Sequence, residues 1–233
     1  MMKIQRIEMN RKPRRTGWVR ALLILAAALA GSCSRQAGGG PDKLQLAVIP
    51  QSTGGEFWET VEAGARRAAN DLGIELKWEG TVTETEIAEQ TKIIENMINL
   101  GVDGIAIAPL NRQAQRKPIE NAANSGIPVV VFDSGVDGDV QKSFVATDNK
   151  KGGELAAQSL ADQLPDGARV VLMRFVQGTA STEERSQGFI EAARAGGLEI
   201  IADPFSETGT LEGSKNVAAN TFERFIENRR LNV

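Results

Sequence analysis

Leu44-Gln45-Leu46-Ala47-Val48-Ile49-Pro50-Gln51-Ser52-Thr53-Gly54-Gly55-Glu56-Phe57-Trp58 joins an aliphatic run to a Gly-rich loop and the start of a stripe at Phe57, Val61, Ala65, Ala68 and Leu72. A short run followed by apolar residues at three- and four-residue spacing predicts a strand that hands on to an amphipathic helix. The unit recurs. Runs at residues 74–78, 104–108 (GIAIA), 127–132 (IPVVVF), 143–146, 168–174 (ARVVLMR) and 198–202 have the β-branched and aliphatic content of parallel strands covered on both faces. Ile87, Ile94, Met97, Ile98 and Leu100 form another helical stripe. Thr83-Glu84-Thr85-Glu86 and Ser181-Thr182-Glu183-Glu184 read as capping boxes, and Gly73, Gly101 and Gly126 as C-terminal helix caps. Residues 44–132 therefore read βαβαβαβ, a doubly wound α/β half. After a short strand around Phe144, a second set starts with a helix from Lys150 and continues βαβα.

The leader has a different character. Seven basic residues (Lys3, Arg6, Arg11, Lys12, Arg14, Arg15, Arg20) precede the apolar run 21–30, and small residues lead into Cys33, the chain's one cysteine. This is the three-part pattern of an export signal. Leu29-Ala30-Gly31-Ser32-Cys33 resembles a bacterial lipobox, with the large apolar residue one place further from the cysteine than is usual. The resemblance implies that Cys33 is acylated and becomes the mature N-terminus. The other reading is an ordinary signal or anchor with an incidental cysteine. Ten apolar residues are about half of the ~20 needed to span a bilayer. Residues 34–42 (SRQAGGGPD) read as a flexible spacer.

The net charge is −3. Because the leader holds seven basic residues against the single acid Glu8, the rest of the chain carries −9, which argues against a nucleic-acid partner. There is no histidine, which removes His-based acid–base chemistry, Ser-His and Cys-His nucleophile pairs, and imidazole metal sites. Gly54-Gly55 lacks the Gly-x-Gly-x-x-Gly or Gly-Lys-Ser/Thr context of a phosphate loop, and Gly152-Gly153 reads as hinge geometry rather than anion binding. No cofactor, metal site or catalytic residue is expected.

In doubly wound sheets ligands lie beyond the carboxyl ends of the strands, which points to the loops 50–58, 109–111, 133–135 and 177–185. A sugar wants carboxylates and guanidinium groups for its hydroxyls and flat aromatic surfaces for its C–H faces. Phe57, Trp58, Asp133 and Arg185 supply these. Each has a second reading. Phe57 continues the core stripe, whereas Trp58 lies off it; Asp133 before Ser-Gly suits an Asx-turn; Arg185 suits a solvated first-turn charge, although it opposes the helix dipole there. Asn111 suits either loop capping or ligand contact.

Several phrases in register carry a family resemblance: Phe57-Trp58 with Glu62-Ala63-Gly64-Ala65, Gly101-Val102-Asp103-Gly104-Ile105, Gly126-Ile127-Pro128-Val129-Val130 ending in Asp133, Ala146-Thr147-Asp148-Asn149 with Gly152-Gly153, and Gly178-Thr179 through Arg185 to Gly188-Phe189. From about residue 44 to 225 the chain resembles periplasmic sugar-binding proteins of the ribose-binding type, which feed ABC importers and share their core with LacI-type repressors. The resemblance implies a two-lobe α/β periplasmic-binding-protein type I fold, with a signal at 1–32, a tether at 33–43, a first lobe at 44–147 and a partial second lobe at 148–233. By position it implies ligand contacts from Phe57, Trp58, Asp133 and Arg185, with Gln51 and Ser134 as further polar contacts, while Gly55 stands where relatives often carry asparagine. Relatives continue past the helix ending near Phe225 with further strands, so the resemblance implies a C-terminally truncated chain whose second lobe is incomplete and unstable alone.

The function expected is that of a monomeric, lipid-anchored receptor in the periplasm or cell envelope. It captures a monosaccharide between hinged lobes for an ABC permease, without catalysis. Rival readings are a receptor for another small polar ligand, such as a signalling furanone or polyol shown to a membrane sensor, a LacI-type regulator, and an α/β enzyme. The regulator needs an N-terminal helix-turn-helix where this chain has its apolar leader. The enzyme needs a nucleophile–base pair or cofactor loop.

Overall fold

The structure is a computed structural model that describes residues 43–231; the leader, Cys33 and all but the last residue of the expected tether lie outside the described residues. Strands β1 (Gln45–Ile49), β2 (Glu75–Trp78), β3 (Gly104–Ile107), β4 (Val129–Phe132) and β5 (Ser143–Val145) form a wholly parallel sheet in the order β2-β1-β3-β4-β5. Helices α1 (Glu56–Leu72), α2 (Ile87–Leu100) and α3 (Arg116–Asn124) connect the first four strands. The chain leaves β1 toward one edge and returns across it to β3. Right-handed crossovers therefore place α1 on one face and α2 and α3 on the other, with a switch point between β1 and β3.

The main core lies on the α2–α3 face. Ala47, Ile49, Ile105, Ile107, Val129 and Val131 alternate along the strands and meet Ile93, Ile94, Met97, Ile119 and Ala122 from the helices. Each large aliphatic chain so buried contributes about 1.5–3 kcal/mol relative to exposure. Gly73 and Gly101 end α1 and α2 in left-handed backbone (φ 67° and 68°), as their sequence positions predict.

A second region contains α4 (Asn149–Ala161), β6 (Arg169–Val171), α5 (Ala180–Ala195), β7 (Glu199–Ala202) and α6 (Leu211–Leu231). β6 and β7 pair in parallel as a two-stranded sheet. Its buried cluster is Ala157, Val170, Ala193 and Leu198, flanked by half-buried Leu160, Phe189 and Ile200. The run expected at 168–174 ends as a strand at Val171, because the register slips between Val170 and Val171 and pairing resumes as an isolated bridge between Arg174 and Phe205. Gly153 lies where two helices cross: a Cβ there would run into the Arg185 carbonyl oxygen, and one on Gly188 into that of Lys150. Gly152 faces open space.

The two capping boxes are displaced. Glu86 does accept the N–H groups of Val82 and Thr83 at 2.8 and 2.9 Å, but α2 starts at Ile87, after rather than within the box. At the second, α5 begins at Ala180 behind Thr179, and Glu183 accepts the N–H of Gly178 at 2.7 Å. No described helix is long and apolar enough to cross a membrane.

Candidate functional site

The rim of the candidate crevice is built from the loops that leave β1, β3 and β4. Gln90, on α2, is wholly buried and ties two of them together. Its side-chain amide donates to the carbonyl of Ala108 at 2.8 Å and of Pro50 at 3.3 Å, while its oxygen accepts the Leu110 N–H at 2.9 Å. Buried polar backbone left without partners would cost about 1–3 kcal/mol per group, so this glutamine fixes the strand ends at the switch point. Its sequence signal was a polar residue at helical spacing from Ile94 and Met97. Gln51 belongs to the same framework. It is 3% exposed, donates to the Pro109 carbonyl at 2.6 Å, and its own carbonyl accepts the Thr81 hydroxyl at 2.6 Å.

The aromatic pair is arranged opposite to the stripe reading. Trp58 is buried and Phe57 is 57% exposed, because the face of α1 that turns inward runs through Trp58, Val61, Ala65 and Ala69. Phe57 meets Trp58 edge-on at 4.9 Å between ring centres, and Trp58 meets Phe132 at 6.4 Å. The Trp58 indole N–H donates to Glu84 Oε1 at 2.7 Å. Sequence reading used Glu84 only as part of a cap. Nothing local marks a contact between residues 26 positions apart.

Asp133 follows β4 in left-handed backbone at φ 60°, the one non-glycine residue with positive φ among the described residues. The Ser134 N–H closes onto the Phe132 carbonyl at 2.6 Å, the bond pattern of a positive-φ γ-turn, a rare and strained arrangement. The turn is made by backbone, so no Asx-turn consumes the carboxylate. Burial raises the Asp133 pKa, and the nearby Arg185 charge opposes the rise. Glu84 is likewise raised by burial; the Trp58 hydrogen bond lowers it and the Asp133 charge raises it further.

Arg185 reaches this cluster from the second region. It sits in the second turn of α5, because the helix starts at Ala180, so the dipole conflict expected of a first-turn position is reduced. Its guanidinium donates to Asn149 Oδ1, and buried Asn149 in turn donates to the Thr147 carbonyl at 3.1 Å. Arg185 also lines a cavity of about 260 Å³ with Leu172, Phe175 and Phe189.

The two regions touch directly. Ser134 is wholly buried, and its hydroxyl accepts the Ser181 N–H at 3.2 Å. Thr179 donates its hydroxyl to the Leu110 carbonyl at 3.0 Å, and the Arg112 N–H donates to the Gly178 carbonyl at 3.0 Å. Asn111 caps its own loop, accepting the N–H groups of Gln113 and Ala114 at 3.0 and 2.9 Å, while its amide nitrogen faces Gly178. Phe57 thus meets Trp58, Trp58 holds Glu84, and the charges of Glu84 and Arg185 both act on Asp133, whereas Gln51 and Ser134 hold protein to protein. No group of three or more Cys, Asp or Glu that could hold a metal occurs among the described residues.

Against known proteins, residues 46–232 match the periplasmic binding protein domain family. The chain is 33% identical over 170 residues to a D-ribose/D-allose-binding protein of Pseudomonas aeruginosa, covering 70% of this chain and 53% of that protein. It is 28% identical over 179 residues to a ribose import binding protein of Bacillus subtilis, covering 73% and 58%. A carbohydrate transporter solute-binding protein of Agrobacterium radiobacter, solved in complex with D-arabinose, superimposes with a TM-score of 0.69 at 33% identity, covering 72% of this chain and 59% of that one. The chain therefore spans a little over half the length of these relatives.

Proposed function

From the fact that this chain belongs to the periplasmic binding protein family, we propose that it is the sugar-binding component of an ABC import system, holding a monosaccharide between its two regions without chemical change. The observation that carries the reading is the Asp133 carboxylate, held in strained backbone at the end of β4 and left out of its own turn, with Arg185 entering from the other region. A strained residue that surrenders its side chain to no structural bond is best explained by a ligand. Phe57 offers an exposed ring for the sugar's C–H face, and Trp58 backs it. Gln51 and Ser134 act one step back, by fixing the loops that carry the contacts.

The same reading takes residues 1–32 as a lipoprotein signal, Cys33 as the acylated N-terminus, and the cell envelope as the location of a monomer that delivers sugar to a permease. Mass spectrometry of the mature N-terminus tests the anchor, and an unmodified Cys33 would refute it. Calorimetry of the full chain against pentoses, hexoses, polyols and amino acids tests binding. A heat signal from a pentose or hexose is expected; silence toward every carbohydrate sinks the sugar reading.

A further inference from the structure

The carboxylate of Glu84 is engaged on one side only. Oε1 takes the indole proton of Trp58 at 2.7 Å, and Oε2 accepts no hydrogen bond from any described residue. The second region also arrives here: a Cβ on Gly209 would stand 3.8 Å from the Cβ of Glu84 and 3.4 Å from the ring of Phe175. Glu84 is thus fixed to the aromatic pair, lies where the two regions meet, and is near enough to Asp133 to feel its charge.

We propose that Glu84 is a second acid of the sugar site, taking a ligand hydroxyl beside Asp133, and that the pair confines the crevice to neutral or amino sugars, excluding sugar acids and sugar phosphates. This rests on the sugar-binding reading above and adds the ligand's charge class to it. Two half-buried carboxylates accept well from hydroxyl or ammonium donors, since bonds to an ionised acceptor are about twice as strong as neutral ones. An anionic ligand would bring a third negative charge to a place served by one guanidinium, Arg185, which already donates to Asn149.

The test is calorimetry on the full chain with D-ribose, D-galactose, D-galactosamine, D-galacturonate and D-ribose 5-phosphate, for wild type and Glu84→Gln. The glutamine keeps an oxygen for the Trp58 N–H and removes the charge. Wild type should bind at least one neutral or amino sugar at least tenfold more tightly than any anionic one. In E84Q that sugar should weaken by about tenfold, with the margin over anions narrowed and the ligand-free melting temperature retained. A purely structural Glu84 would lower the melting temperature and leave the discrimination in place, which overturns the proposal. Equal binding of galacturonate and galactose by wild type overturns it without any variant and leaves sugar binding standing. Silence toward all five ligands removes this proposal, and the sugar reading falls only if the wider panel is silent too.

Discussion

The five-stranded and two-stranded regions use the same βα grammar but hold themselves together differently. The first gathers thirteen buried residues into one cluster, whereas the second gathers four. Burial of a few hundred Å² more or less of apolar surface decides whether a small sheet stands by itself. The contacts of Thr179, Gly178 and Ser181 with Leu110, Arg112 and Ser134 are therefore expected to lend the second region order from the first.

The largest break in this comparison is Ile107→Ala, at the wholly buried centre of the first core. A loss of about 3–4 kcal/mol in urea unfolding is expected, with amide protection falling in both sheets. Retained protection at β6 and β7 would show that the second region stands alone. Next comes Gly178→Ala. The φ of 91° disfavours any side chain, and a Cβ would lie 2.0 Å from the Asn111 amide nitrogen. About 2–3 kcal/mol should be lost, with exchange speeding up in the second region first, and Asn111→Ala should recover part of it. Gln90→Leu should cost about 2 kcal/mol and loosen the amides of Ala108 and Leu110, which a denaturation curve with hydrogen exchange checks.

The smallest effect is on pH. Glu84 and Asp133 are both raised above their usual range, chiefly by burial, so the folded state holds their protons at a pH where the unfolded chain has lost them. Stability then falls as pH rises through the folded values. Relative to a Glu84→Gln, Asp133→Asn double variant, wild type should gain about one or two degrees in melting temperature on mild acidification. Half-buried Glu120 and exposed Glu191, whose values are lowered by Arg116 and Lys150, pull the other way at lower pH, so the comparison with the variant isolates the Glu84–Asp133 pair.

Strands were legible because their signal is local: seven runs predicted seven strands, with ends misplaced by a few residues. Register slip shortened 168–174, an event set by the partner strand and invisible in the run itself. The crevice was half legible. Asp133 stands at the strand end where topology points to ligands and Arg185 in the second turn of α5, but whether Phe57 or Trp58 faced inward depended on the indole finding Glu84, a contact across 26 residues. Ser134 carried no mark of its burial, since the Ser181 N–H that uses it comes from α5 of the second region.

Gln90 has one more consequence. By bonding Pro50, Ala108 and Leu110 to a single helix side chain, it makes the rim on the first region a rigid frame with few conformations to lose. On the proposed reading, the entropy of capture then falls on the less firmly packed partner. Substitutions that stiffen residues 172–179 should therefore tighten binding mainly by lengthening residence time, without touching the ligand.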